Sequence, residues 1–152
     1  MPAAVSNRQR HIRVSTPRLR ATALAALAAL GRADRDVHVS VVGDSEIRRL
    51  NARYLRRHAT TDVLAFDLRA PGPSPLLGEV IVCADTAGRQ ARRVGVSVAL
   101  ELDLLVIHGI LHLVGWKDHR PREARFMHER EREILAGAGH RAPSRLWSGL
   151  LA

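Results

Sequence analysis

Apolar residues follow a strand pattern in several short stretches of the chain. Val37, Val39 and Val41 alternate with His38, Ser40 and Val42, the period-two spacing of a β-strand. Similar patterning predicts further strands over 11–15, 61–66 and 78–83. The last of these is apolar almost throughout, which indicates burial on both faces of a sheet.

Helical spacing and helix-start residues indicate five helices between and after these strands. The fourth begins at Ser97 and is apolar nearly all round, which predicts the buried centre of the fold, behind the sheet. The others are predicted to start with Thr16 and Pro17 (running to about Leu30), with Asp44 or Ser45 (through Ile47, Leu50 and Tyr54), with Asp85 (to Gly95) and with Pro121 (to Gly137 or Gly139).

Strands and helices are interspersed without regular alternation, which is typical of the α+β class. The expected fold is a mixed sheet of about four strands packed against helices, with the apolar helix at its centre. A turn over 70–75 separates two strands rather than two domains. At 152 residues, residues 1–152 are expected to form a single domain.

Composition narrows the functional classes. No run of about 18 apolar residues occurs without charge, and no apolar signal region follows Arg8, Arg10 and Arg13. A cytoplasmic protein with no membrane partner is therefore expected. Cys83 is the single cysteine, which excludes an internal disulfide and a multi-cysteine zinc site; it is predicted to be a small packed strand residue.

The charge balance points to a polyanionic partner. The formal net charge is +9, and Lys117 is the only lysine, so arginine supplies nearly all of the excess. Arginine binds phosphate through two parallel hydrogen bonds, which favours nucleic acid. Aromatic residues make up only 3%, too few for the stacking platform of many single-strand binders. Backbone phosphates are therefore expected to dominate binding.

The stretch HGILHLVGWKDH carries the candidate chemistry. His108 and His112 are four residues apart, so on a helix both imidazoles project from one face. Gly115 can adopt the left-handed conformation that ends a helix, so that the chain turns back and brings Asp118 towards the same point. Two histidines and one carboxylate predict a zinc site with a fourth position for water. His128 and His140 lie outside this pattern and are predicted to be surface residues.

One residue typical of zinc peptidases is missing from this stretch. In the H-E-x-x-H pattern, the glutamate after the first histidine acts as general base, and here that position is Gly109. A metal ion can still lower the pKa of a bound water to about 7 by its charge. The pattern therefore favours hydrolysis of a bond other than a peptide bond.

Two blocks of sequence resemble the YbeY family of bacterial ribosomal RNA maturation factors. One is LNARYLRRHATTDVLAF, over 50–66, and the other runs from LLGEVIV, over 76–82, to the histidine stretch. Together with the intervening helix they span about half of the chain. The resemblance implies a zinc-dependent endoribonuclease specific for single-stranded RNA. It also implies action on the 3′ end of 16S rRNA at the small ribosomal subunit, and in ribosome quality control.

Two departures from the family pattern bear on the predicted site residues. Many members have a third ligand histidine ten residues after the first, where this chain has Asp118, and His119 follows one place later. Asp118 is the favoured ligand, with His119 as the alternative. Leu55 stands where many members have an arginine facing the substrate groove, and Arg56 or Arg57 could supply that charge to RNA phosphates; solvated loop arginines are the other interpretation.

The leading hypothesis is that Zn²⁺ held by His108, His112 and Asp118 promotes hydrolysis of an RNA phosphodiester bond. One alternative is a ribosome-assembly factor without catalytic activity, in which zinc holds a helix and a loop together. A metallopeptidase is a further alternative, which Gly109 disfavours.

Overall fold

The computed structural model describes residues 3–55, 63–68 and 75–148. Within these ranges the chain forms one four-stranded sheet and five α-helices, with a π-helical turn after the second helix and a 3₁₀ turn at 144–148. The strands are β1 (Ala3–Asn7), β2 (Asp36–Val42), β3 (Val63–Asp67) and β4 (Leu76–Cys83). The helices are α1 (Thr16–Ala29), α2 (Asp44–Leu50), α3 (Ala84–Val94), α4 (Val98–Leu113) and α5 (Pro121–Gly137).

The sheet is mixed, as the sequence predicts. Its strand order is β1-β2-β4-β3, with β2 parallel to both β1 and β4 and with β3 antiparallel to β4 at one edge. Parallel neighbours need a long crossover connection, which α1 supplies between β1 and β2. The α+β class and the four strands are therefore confirmed.

The two faces of the sheet bury different helices. On one face, valines of β2 and β4 pack with α1 and α4 in the main core. On the other face, Ile81, Cys83 and Leu64 pack against Ile47 of α2 in a smaller cluster. Both faces of β4 are covered, so the predicted two-sided burial of this strand is confirmed.

Helix α4 is the buried centre of the fold. Every residue over 100–111 is buried, and the side chain of Ser97 caps the helix by accepting a hydrogen bond from the backbone N–H of Leu100 at 3.1 Å. Asp103 is completely buried and accepts from Arg18 Nε and Nη2 at 2.9 and 2.7 Å and from Thr22 Oγ1 at 2.9 Å. This hydrogen-bonded ion pair joins α4 to α1.

The prediction of a strand over 11–15 is wrong, and the strand β1 was missed. The Gln9 side chain binds both the carbonyl and the N–H of Ile12, each at 2.9 Å, so these groups pair with an amide side chain instead of a neighbouring strand. Ser15 then serves as the N-cap of α1 by accepting from Arg18 N.

The predicted caps of α2 and α3 are also wrong. The N-cap residues are Gly43 and Cys83, and neither makes a side-chain cap. Instead, Asp85 Oδ2 accepts a hydrogen bond from the backbone N–H of Asp44 at 2.9 Å. A carboxylate of α3 therefore binds one of the backbone N–H groups that have no partner within the first turn of α2. The α-helical part of α2 ends at Leu50, and a π-helical turn (Asn51–Leu55) continues it.

Some predictions fall partly outside the described residues, namely the beginning of the strand over 61–66 and most of the turn over 70–75. Within the described part of the chain, no single helix is long and apolar enough to cross a membrane. Together α3 and α4 meet that length and composition, but they are bent by 118°.

Candidate metal centre

Three predicted ligand side chains converge at the end of α4. The Nε2 atoms of His108 and His112 are 3.0 Å apart. Asp118 Oδ2 lies 3.3 Å from His108 Nε2 and 3.5 Å from His112 Nε2. The sequence-predicted triad is therefore brought together by the fold.

The turn after α4 explains how Asp118 reaches the histidines. Gly115 has a φ of 103°, a conformation that glycine adopts without strain from a Cβ. Its N–H donates to His112 O at 3.1 Å, and Trp116 N donates to Leu111 O at 3.0 Å. These two bonds form the Schellman arrangement that ends a helix and reverses the chain.

The Nδ1 atom of each histidine, on the side of the ring away from the common point, forms a hydrogen bond. His112 Nδ1 lies 2.9 Å from Trp116 O, and a carbonyl can only accept, so Nδ1 carries the proton. His108 Nδ1 lies 2.6 Å from Glu131 Oε2, a carboxylate oxygen that accepts in the same way. Both rings therefore direct their Nε2 atoms towards the common point.

Electrostatic coupling within the triad is strong. Burial opposes the charged form of His108, but hydrogen bonds and charge interactions with Asp118 and Glu131 outweigh it and raise the pKa of His108 to about 9. The hydrogen bond from His108 lowers the pKa of Asp118 to about 2, against its partial burial. The negative charge of Asp118 therefore lies beside an imidazole that favours its protonated form.

The donor set fits a tetrahedral divalent cation. Bonds of about 2.0–2.2 Å to nitrogen and oxygen place neighbouring tetrahedral donors roughly 3.3 Å apart, and the three donor–donor distances here are 3.0, 3.3 and 3.5 Å. The side chains of His112 and Asp118 are 30% and 33% exposed, whereas that of His108 is 7% exposed. A fourth ligand could therefore enter from solvent.

Gly109 faces the sheet and not the ligands. A Cβ atom at this position would lie 2.5 Å from Val80 Cγ1 and 3.3 Å from Val63 Cγ2. Because α4 packs so closely on β4, no side chain fits there. The position that bears the general base in H-E-x-x-H peptidases therefore has no room for a glutamate in this fold.

The other predicted site residues have different positions. His119 is exposed and is not part of the converging group, although its charge contributes to lowering the pKa of Asp118. Arg56 and Arg57 lie outside the described residues. The surface assignments of His128 and His140 are wrong, since both are half-buried.

Contacts explain the burial of these two histidines. His140 Nε2 lies 3.5 Å from the buried Asp103 Oδ2. Burial lowers the pKa of His128, and the charged neighbours of that ring include Glu131, His108 and Asp118. His140 therefore lies beside the ion pair between α1 and α4, whereas His128 borders the metal centre.

Glu131 and Trp147 lie directly behind the ligands and were not among the residues predicted from the sequence. Glu131 is completely buried, accepts from His108 and also accepts from Trp147 Nε1 at 3.0 Å. A signal was present, because Glu131 lies in the apolar stripe of α5 formed by Met127, Ile134 and Leu135. A charged residue in such a stripe needs a buried partner.

A second group of potential ligands lies at the carboxyl ends of β2 and β4, formed by Asp44, Cys83 and Asp85. Two hydrogen bonds from Arg89, at 2.8 and 3.0 Å, already neutralise Asp44. Cys83 is buried, and its burial raises the pKa of the thiol. Cys83 is thus a packed strand residue, as predicted, and this group is explained by pairing within the protein.

Comparisons with known proteins identify the family of this chain. A family model described as Endoribonuclease YbeY matches residues 4–139. A relative named Endoribonuclease YbeY from Anaeromyxobacter sp. (strain Fw109-5) is 44% identical over 140 residues, which cover 91% of this chain and 73% of the relative. One of the same name from Geobacter metallireducens is 43% identical over 143 residues, covering 90% and 95% respectively.

A solved structure supports the fold. The solution structure of a protein from Thermotoga maritima superposes with a TM-score of 0.62 at 23% identity, covering 98% of this chain and 91% of that one. With a family model spanning most of the chain and relatives above 40% identity, this chain belongs to the Endoribonuclease YbeY family.

Proposed function

We propose that this protein is a zinc-dependent endoribonuclease that hydrolyses phosphodiester bonds in single-stranded RNA. The observation that carries the proposal is the convergence of His108 Nε2, His112 Nε2 and Asp118 Oδ2 to within 3.5 Å of one another. Membership of a family whose members are named endoribonucleases supplies the reaction class.

Zinc is proposed because of the donor types. Two imidazoles and one carboxylate in a tetrahedral arrangement with one open position are the ligand set of catalytic zinc. Magnesium and calcium prefer sites built from oxygen atoms. The pair of nitrogen donors therefore favours zinc.

The proposed ion and the residues that would hold it have separate roles in the reaction. When bound, the ion would activate a water molecule and polarise a phosphate oxygen. His108 and His112 are held as ligands by their Nδ1 hydrogen bonds to Glu131 and to the Trp116 carbonyl, and such outer contacts fix the orientation of a ligating ring. Asp118 would supply the one negative charge among the three ligands.

Arginine is proposed to bind the RNA backbone. The net charge of +9 attracts phosphates over a long range. Arg56 and Arg57 follow Leu55, the position where many family members have an arginine, and we assign phosphate contacts to one or both of them.

The wider biological role in this proposal follows from the family resemblance. It comprises maturation of the 3′ end of 16S rRNA, ribosome quality control, and the small ribosomal subunit as partner, in the cytoplasm. Residues 1–152 are proposed to act as a single domain.

Metal analysis tests the ligand assignment. The double variant His108→Ala/His112→Ala should lose bound zinc, whereas His38→Ala, a histidine of β2 outside the site, should retain it. Asp118→Ala should lose zinc and His119→Ala should keep it. Unchanged zinc in the double variant would refute the site, and loss in His119→Ala alone would make His119 the third ligand.

Cleavage of single-stranded RNA tests the activity. Wild type, His112→Ala and His38→Ala are purified identically, and only His112→Ala should lose cleavage. Equal cleavage by all three would indicate a contaminating nuclease. A zinc-loaded wild type that binds RNA but never cleaves it, across metals and pH values, would favour the ribosome-assembly factor without catalytic activity.

A further inference from the structure

The 3₁₀ turn Ser144–Ser148 follows the residues matched by the family model, which end at 139. It nevertheless reaches the back of the metal centre, where the Trp147 side chain is only 4% exposed. We propose that Trp147 is a positioning residue for the metal centre, acting through Glu131 on the orientation of His108. This inference rests on the proposed function, since it assumes that His108 ligates a metal ion.

Two consecutive hydrogen bonds connect Trp147 to His108 through Glu131. Trp147 Nε1 donates to Glu131 Oε1 at 3.0 Å, and the other carboxylate oxygen, Oε2, lies 2.6 Å from His108 Nδ1. The indole has a single donor and no acceptor, so the direction of its bond is fixed. Each oxygen of Glu131 is thereby held by a different partner, which sets the plane of the carboxylate.

The turn that bears Trp147 is itself anchored. Leu146 is completely buried in the main core. The Arg132 guanidinium lies 4.3 Å from the centroid of the Trp147 ring, a cation–π distance. Arg145 Nη2 donates to the carbonyl of Gly95, in the connection between α3 and α4, at 3.1 Å. The indole is therefore held in place independently of Glu131.

Removing the indole N–H should loosen the histidine. Glu131 is completely buried, and a buried acceptor that loses its donor incurs the full desolvation penalty. The carboxylate is then expected to turn or recruit water, and His108 Nδ1 loses a fixed partner. In known metal sites, loss of a group that holds a ligand by a hydrogen bond lowers metal affinity by about 10- to 100-fold.

Zinc affinity of the full chain provides the first test, measured by competition with a chromophoric chelator. Trp147→Phe keeps an aromatic ring but lacks the donor, and we expect about a tenfold weaker zinc affinity. Leu146→Val is the matched control, because it loosens the same turn without touching Glu131. Equal weakening in both variants, at equal thermal stability, would overturn the inference in favour of simple packing.

A double-mutant cycle provides the second test, because a merely structural role of Trp147 would not depend on the residue at 131. In a Glu131→Leu background the side chain at 131 has no acceptor for the indole N–H, so adding Trp147→Phe should change zinc affinity by less than about twofold. Additive effects of the two substitutions would overturn the inference.

The outcomes separate the two proposals. A wild-type protein without affinity for Zn²⁺ would overturn the proposed function and this inference with it. Wild-type binding that Trp147→Phe leaves unchanged would overturn only the inference.

Discussion

At position 109, the absence of a side chain decides how closely α4 approaches the sheet. From sequence alone, Gly109 indicates only that the peptidase base is missing. The structure adds a packing reason, since Val80 and Val63 occupy the space where a side chain would lie. Gly109 thus disfavours peptidase chemistry and also sets how closely the ligand helix approaches the sheet.

Gly109→Ala should therefore lower the free energy of unfolding by about 1–3 kcal/mol, because the added methyl group overpacks the interface between α4 and β4. Urea denaturation measures this change. Gly137→Ala is the matched control: it lies in α5, and a Cβ added there would meet no other group within 4 Å, so its stability should be unchanged or slightly raised. Equal behaviour of the two variants would contradict the packing argument.

The coupling between His108 and Asp118 predicts a pH dependence. The pKa of His108 is raised from 6.5 to about 9, so in the metal-free protein its contribution to stability is complete below pH 6.5 and is lost as the pH rises through 9. The pKa of Asp118 is lowered from 3.8 to about 2, so its contribution is complete above pH 3.8 and is lost as the pH falls through 2.

A zinc ion bound to His108 Nε2, as proposed, would displace the proton of that ring, so the thermal stabilisation by a fixed zinc concentration should grow from about pH 6 to about pH 9. Melting temperatures with zinc and with a chelator, taken across this range, measure the difference. A zinc-induced shift that stays constant over the whole range would contradict the assignment of His108 as a ligand.

At the scale of elements, the chain reversal after α4 completes the site, because it brings Asp118 to the two histidines. The helix ends with a Schellman arrangement at Gly115, and α1 ends with the same arrangement at Gly31, where Gly31 N donates to Ala28 O and Arg32 N donates to Leu27 O. Both glycines have positive φ, of 103° and 70°, and a Cβ added at either would lie in open space. The two turns therefore have the same geometry, and only the turn at Gly115 leads to the candidate metal centre.

Gly115→Ala and Gly31→Ala should each lower the free energy of unfolding by about 1–2 kcal/mol, because alanine is strained at positive φ. Only Gly115→Ala should also weaken zinc binding, since its turn carries Asp118 to the histidines. Denaturation and chelator competition on both variants check this. A loss of zinc affinity in Gly31→Ala would show that the effect comes from general destabilisation.

The elements differ in how well the sequence predicted them. The start of α4 at Ser97 was predictable, because its cap and apolar pattern are local features. β1 was missed, because a five-residue strand of mostly small or polar residues is defined by its parallel pairing with β2. The first turn of α2 is satisfied by Asp85, a residue of another helix, which no local capping rule identifies.

For the whole molecule, the net charge of +9 predicts salt-sensitive RNA binding. Each phosphate contact releases counterions, so the affinity for single-stranded RNA should fall by about tenfold or more between roughly 50 and 200 mM salt. Fluorescence anisotropy with a labelled single strand measures this dependence. An affinity independent of salt would contradict phosphate binding by the arginines.

The sequence by itself determined the fold class, the buried ligand helix and the candidate ligands His108, His112 and Asp118. These depend on periodicity, on i,i+4 spacing and on one glycine, all of which are encoded within a few consecutive residues. The tertiary structure decided which groups stand behind the ligands, because Glu131 and Trp147 come from distant segments. It also decided that Gly109 faces the sheet, since only packing of α4 on β4 sets that direction.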